Sequence, residues 1–327
     1  MAASKLTNSH DAGSGPPLRV LLAGLGAFGN EHLSRLTERS DVRVVGVADT
    51  NPAAFEPIRA RLGAAECLTD PLRLIDVVEA DAVIVATPAA SHVDISVRAL
   101  SRNLSVLLEK PVAPSANSAV PLLEAARSST GFVMPAHVLR FSHDHVRMVE
   151  TIRSGRIGEI IYVNSRRYRD DSHALRYPND DPLLMTLIHD IDIAQWVTGS
   201  DFHSIVARRS EGVGYRSMTA VSATTETGVI CDLRTAWTFT DGELPPDRVE
   251  VVGDQGSIEL TAGAGLDVYA EGRRASYPPT TADDPLRNEQ DHFFACVRDR
   301  SQAPALTLSQ ALVGLKLADA AIESLRP

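Results

Sequence analysis

Lys110, in "EKP" (109–111), and His189, in "DPLLMTLIHDIDIAQW" (181–196), are side chains of the types that handle protons beside an alcohol or a ketone. An ammonium at the end of a buried strand can polarise a carbonyl or stabilise a developing alkoxide. An imidazole titrates near neutrality, which suits proton exchange with a hydroxyl. Read from its own stretch, His189 has three roles open to it: proton-transfer residue, metal ligand, or satisfied core histidine. The metal role finds only Asp192 one helical turn away, and His143, His145 and His173 lack a diagnostic spacing. No metal is expected.

Gly24, Gly26 and Gly29 fill the glycine positions of G-x-G-x-x-G. The first permits a tight turn, the second lets backbone approach a pyrophosphate, and the third lets helix and strand pack closely. Asp49 follows about 20 residues on, placed to accept hydrogen bonds from ribose hydroxyls. Its charge would repel a 2′-phosphate, so NAD is expected rather than NADP. With the glycines, Ala27 and Phe28 complete the phosphate turn. Thr87, Pro88, His92, Glu109 and Lys110 are expected to extend the cofactor surface.

The elements that must position these groups alternate. "LRVLLAG" (18–24), "VRVVGVAD" (42–49), "DAVIVATP" (81–88), "SVLLEKP" (105–111) and "GFVMPAH" (131–137) are apolar runs suited to strands buried on both faces, with helical spacing between several of them. This pattern predicts a doubly wound parallel sheet, whose ligands lie at the carboxyl ends of its strands. Thr87-Pro88 and Glu109-Lys110-Pro111 occupy such ends, and a cis Lys110–Pro111 bond would aim the lysine sharply. Beyond residue 137 come strand-like stretches "EIIYVNSRRYRD", "FHSIVARR", "SMTAVSATTE", "GVICDLRTAWTF" and "DRVEVVG", whose short connections suggest antiparallel pairing. A helical segment, "LSQALVGLKLADAAIESL", ends the pattern.

At 327 residues the chain exceeds the usual size of one core. The expected division is a flexible tail over 1–17, a dinucleotide-binding domain over 18–136 and a substrate and oligomerisation domain over 137–327, with the last helix able to pack back on the first domain. Acidic residues outnumber basic ones, 42 to 32, for a formal charge of −10. That balance, without a Lys/Arg run, argues against nucleic acid and anionic membranes. Three separated cysteines, no signal-peptide pattern and no apolar run long enough to span a bilayer suggest a cytoplasmic protein.

Six motifs occur together in order: "GLGAFGNEH", "EKP", "HVLRF", "IHDID", "VEVVGDQGSIEL" and "EQDHFFACV". In these the chain resembles the Gfo/Idh/MocA oxidoreductases, from Leu18 to the end. The resemblance implies a Rossmann domain followed by an α/β domain with a large, mostly antiparallel open sheet, one face of which forms subunit contacts. It also implies NAD(P)-linked chemistry on a sugar, sugar acid or cyclitol, in a homodimer or homotetramer. Lys110 matches the lysine of the family's E-K-P motif, Glu109 the acid near the nicotinamide ribose, and His189 the proton-transfer histidine. Arg140-Phe141 matches a largely structural R-F pair.

Helical spacing from 183 to 197 places Met185, His189, Asp192 and Trp196 on one stripe and turns Asp190 away. The family's D-x-x-x-H acid is replaced here by Met185, and Asp192 is the residue placed to substitute for it. Arg166, Arg167 and Arg169 form either a solvated strand end or, for Arg167 and Arg169, a seat for an anionic substrate. The leading expectation is an NAD-dependent dehydrogenase acting on a secondary hydroxyl of a sugar-like molecule. An NADPH-dependent ketosugar reductase and a non-catalytic nucleotide-binding regulator are the alternatives.

Overall fold

Six short apolar strands build the first sheet: β1 (Leu18–Ala23), β2 (Val42–Ala48), β3 (Glu66–Leu68), β4 (Ala82–Val85), β5 (Ser105–Glu109) and β6 (Val133–Ala136). The computed structural model describes residues 15–176, 180–210, 217–239 and 243–325, so most of the expected N-terminal tail lies outside the described residues. The strands are parallel in the order β3-β2-β1-β4-β5-β6. Chain direction across the sheet reverses between β1 and β4, which opens a crevice at their carboxyl ends. β3 was not anticipated, because three residues are too few to display a period.

The second sheet has eight strands: β7 (Ile160–Asp170), β8 (Phe202–Arg209), β9 (Met218–Thr225), β10 (Ile230–Phe239), β11 (Arg248–Gly253), β12 (Gly256–Thr261), β13 (Gly265–Ala270) and β14 (Arg273–Tyr277). Their order is β14-β13-β12-β11-β7-β10-β9-β8. Pairing is antiparallel except between the central strands β7 and β10, which run parallel. Two helices, His143–Arg153 and Ile188–Thr198, cover one face, where Met148, Val149, Ile193 and Ala194 pack on Val163, Cys231 and Val251.

Cross-strand register gives the other face a banded surface. Tyr269, Ser257, Val252, Tyr162, Ile230 and Thr224 form one row, with Ile230 and Tyr269 exposed. Beside it run Asp267, Glu259, Glu250, Asn164 and Asp232, and beyond those Arg248, Arg166 and Arg234. Apolar, acidic and basic bands therefore lie side by side.

The last two helices return to the first sheet. Phe293 and Phe294 of the Pro285–Arg298 helix join the core made by Val20, Leu22 and Leu107. The Leu308–Glu323 helix begins with a Thr307–Gln310 capping box. Its Leu308, Leu312 and Leu315 pack with Val83 and Leu108, while Ala318 and Ala321 reach Leu187 and Ile188. One helix thus ties the crevice side of the first sheet to the helix carrying His189. Among the described residues, no helix is long and apolar enough to cross a membrane.

Candidate active site

A cleft of about 1060 Å³ runs from the glycine turn past the ends of β1, β4 and β5 to the helix bearing His189. That size accommodates a ligand larger than most drug-like molecules. At its start Gly24 has φ +96°, and a Cβ there would lie 2.4 Å from the Ala86 carbonyl oxygen. A Cβ on Gly29 would lie 2.0 Å from the Gly24 carbonyl oxygen, so the third glycine serves packing and does not line the cleft. At Gly26 a Cβ would meet nothing within 4 Å, because that position opens on the cleft. No side chain caps the Ala27–Thr37 helix, whose first N–H groups remain available to an anion. The turn therefore fits a dinucleotide's pyrophosphate.

Asp49 extends that fit. Its carboxylate accepts from the Leu25 amide at 2.7 Å and the Asn51 amide at 2.9 Å, which fixes it at the cleft wall. Ala27 and Phe28 line the same region, and the Phe28 ring is exposed there.

His92 is placed differently from the expectation. It is buried, does not line the cleft, and lies with Nδ1 2.8 Å from the Pro111 oxygen and Nε2 2.7 Å from the Thr87 oxygen. Instead of meeting a cofactor, it ties together the two strand-end loops that do face the cleft. Thr87 and Pro88 line one of them and Glu109, Lys110 and Pro111 the other. The Lys110–Pro111 peptide is cis.

The Lys110 ammonium donates to the Met185 carbonyl oxygen at 2.8 Å. That carbonyl belongs to a single π-helical turn, Leu183–Leu187, preceding the α-helix Ile188–Thr198. Sequence periodicity alone predicts the whole stretch as α-helical. π turns concentrate at functional sites, where the wider turn changes what the backbone presents. Met185, Thr186 and His189 all line the cleft.

Asp192 is paired with Arg140 and not with His189. Its two oxygens accept from Arg140 Nε at 2.8 Å and Nη2 at 2.9 Å, and His137 Nδ1 lies 3.4 Å away. Arg140 also stacks 5.2 Å from the Trp196 ring centroid, so the Asp192–Trp196 part of the stripe is an anchor for Arg140. Burial alone would raise the Asp192 carboxyl, but His137 and Arg140 hold it below the ordinary carboxylate range. His137 then meets His189 edge-on, with ring centroids 6.0 Å apart.

The strand-end arginines are not a solvated fringe. Alternation along β7 puts Arg167 and Arg169 on the helix-covered face and Arg166 on the banded one. Arg167 is buried; its Nε donates to both Asp190 oxygens, at 3.0 and 2.8 Å, and its Nη1 to Asp247 at 2.8 Å. Arg169 makes two further bonds to Asp247, at 2.8 and 2.9 Å. Both guanidiniums line the cleft already matched with carboxylates.

Burial is the main cause that pushes the His189 imidazole well below its ordinary range, with Lys110, His137, Arg167 and Arg169 adding to the effect. Among the described residues, its Nδ1 has no hydrogen-bond partner. Burial likewise lowers the Lys110 ammonium, opposed by Glu109. Sequence reading missed His137 as a site neighbour and missed Asp190 and Asp247 as partners of the arginines. Asp247 lies 80 residues from Arg167, and no local spacing announces such a contact.

Residues 18–137 match the oxidoreductase family with an NAD-binding Rossmann fold, and residues 145–259 match the GFO/IDH/MocA C-terminal domain. An inositol 2-dehydrogenase of Saccharopolyspora erythraea is 29% identical over 263 residues, 78% of this chain and 76% of that protein. The inositol 2-dehydrogenase of Rhizobium meliloti is 26% identical over 94% of this chain and 96% of its own length. Among solved structures, scyllo-inositol dehydrogenase from Lactobacillus casei, with bound NAD(H) and scyllo-inositol, superposes with a TM-score of 0.81 at 18% identity, covering 94% of this chain and 97% of that one. An Agrobacterium radiobacter oxidoreductase in complex with NAD+, L-tartaric acid and magnesium gives 0.85 at 18% identity, covering 94% and 96%.

Proposed function

Because the chain belongs to the Gfo/Idh/MocA oxidoreductase family, we propose that it oxidises a secondary hydroxyl of a cyclitol or similar neutral polyol, using NAD+ in preference to NADP+. The observation that carries this reading is the convergence of Lys110 and His189 on one cleft with the glycine turn and Asp49. The curated inositol 2-dehydrogenases support the substrate class. A neutral polyol is favoured over a sugar acid because Arg167 and Arg169 are spent on Asp190 and Asp247.

Bound NAD+ would supply the hydride acceptor. His189, neutral and facing the cleft, takes the hydroxyl proton. Lys110, oriented through the Met185 carbonyl, donates toward the same oxygen as it gains carbonyl character. In the reverse direction the two groups protonate and polarise a ketone. Subunits assemble as a dimer or tetramer through the banded face of the second sheet. The three cysteines are unpaired thiols, in keeping with a cytoplasmic setting.

A screen of cyclitols, neutral sugars and sugar acids with both cofactors tests the reading. The expected result is turnover of a cyclitol or neutral sugar with NAD+, and a loss in kcat of about 10³-fold or more in Lys110→Met. Binding of NAD+ without turnover of any substrate would favour a nucleotide-sensing regulator instead. Exclusive turnover of sugar acids, abolished by Arg169→Ala, would replace the polyol with an anionic substrate.

A further inference from the structure

Behind Glu109, on the side away from the cleft, lies a buried group that the chemistry above does not use. It comprises His32 of the Ala27–Thr37 helix, Glu109 of β5, and Glu289 and Gln290 of the Pro285–Arg298 helix. Ligand-type atoms of His32, Glu109 and Glu289 all lie within 4.8 Å of one another. Glu289 is fully buried, and among the described residues neither of its carboxyl oxygens has a hydrogen-bond partner.

The hydrogen bonds fix most of the protons. Gln290 Nε2 donates to the His32 backbone oxygen at 3.2 Å, and that oxygen can only accept, so the amide orientation is set. The same Nε2 is 3.1 Å from His32 Nδ1, which must then offer a lone pair. His32 therefore carries its proton on Nε2 and donates it to Glu109 Oε1 at 3.0 Å. The Lys110 amide approaches the other Glu109 oxygen at 3.2 Å. Glu109 is thus an acceptor on both oxygens, as an ionised carboxylate should be. Lys110 Nζ is engaged elsewhere, with Met185.

We propose that Glu289 keeps its proton in the working enzyme and lends it to Glu109, making Glu289 a positioning residue for the acid and lysine of the cleft wall. Two neighbouring buried carboxylates without a cation between them cannot both ionise at modest cost. Burial first, and Glu109 second, push the Glu289 carboxyl well above its ordinary range. Among the described residues, the His, Cys, Asp and Glu side chains clustered with it are Glu109 from β5 and His32 from the facing helix, whose Nδ1 lone pair faces Gln290. A proton on Glu289 satisfies one of its own orphaned oxygens and adds a donor to Glu109. The cluster then carries a single negative charge, and the C-terminal helix becomes part of what aims Lys110. The inference rests on the reading of Lys110 as a working residue, but its primary test does not depend on turnover.

Infrared spectra of the NAD-loaded protein at neutral pH should contain a protonated-carboxyl C=O band that disappears in Glu289→Gln. Absence of any such band, or a band untouched by that substitution, overturns the proposal. So does a stoichiometric divalent metal in the purified protein, because the cation would then stand where the proton is placed. Selective 13C labelling of glutamate in the unmodified chain gives a second measurement that needs no variant. One carboxyl resonance should hold its protonated shift well above the pH at which the other glutamates ionise, and titration of every glutamate near its ordinary value would sink the idea. With a substrate in hand, Glu289→Met should lose about tenfold in kcat/KM. Glu289→Gln, which offers an N–H in place of the proton, should recover most of that loss.

Discussion

Lys110 is oriented by a backbone atom, and His189, among the described residues, by packing. The lysine donates to the Met185 carbonyl, whereas the histidine has an unpartnered Nδ1 and an edge-on contact with His137. This asymmetry has a pH signature. Protonation of His189 is displaced downward by burial and nearby cations, so kcat/KM should stay flat as pH falls through 6.5 and decline only below it. Lys110 is displaced downward from 10.5, so the alkaline limb should begin below that value. A profile with its acid limb above pH 6.5 would contradict the neutral-imidazole assignment. Arg140 supports the pair from behind by neutralising Asp192. Arg140→Met leaves the buried Asp192 carboxylate with His137 as its remaining partner, and denaturant unfolding should register a loss of about 3 kcal/mol.

At the scale of elements, the strand-turn-helix from β1 onward was legible because its parts are contiguous. Gly24, Gly26, Gly29 and Asp49 all announce themselves within one βαβ unit. Gly29→Ala would drive a methyl into the Gly24 carbonyl, and calorimetric titration should find NAD binding weakened at least tenfold, with thermal stability reduced as well. The 183–198 segment was legible only in part. Its apolar stripe is real, but hydrophobic period does not distinguish four α-helical steps from a π turn, and it was the π turn that delivered the Met185 carbonyl to Lys110. The arginines of β7 are visible as residues in the sequence, but their environment is not. Their partners are distant in sequence, Asp190 on the His189 helix and Asp247 in the loop before β11, and only the folded chain brings them within 3 Å.

For the whole molecule, two consequences follow from how the sheets are dressed. The Leu308–Glu323 helix packs on both the first sheet and the segment before His189, so the relative placement of Lys110 and His189 depends on it. The banded face of the second sheet sets acidic and basic rows in parallel, an arrangement that two copies related by a twofold axis can satisfy by laying unlike rows together. Arg166→Glu combined with Arg234→Glu should therefore yield monomers in sedimentation velocity, while circular dichroism stays unchanged. A sedimentation coefficient unchanged from that of the unmodified protein would overturn the assignment of this face to subunit contact.

The Met185 carbonyl has an implication for divergence within such an enzyme. A main-chain oxygen survives almost any replacement of its own residue, so the anchor of Lys110 is indifferent to the side chain at 185, which also faces the cleft. Position 185 can consequently drift, or be redesigned, to suit a new substrate without disturbing the lysine.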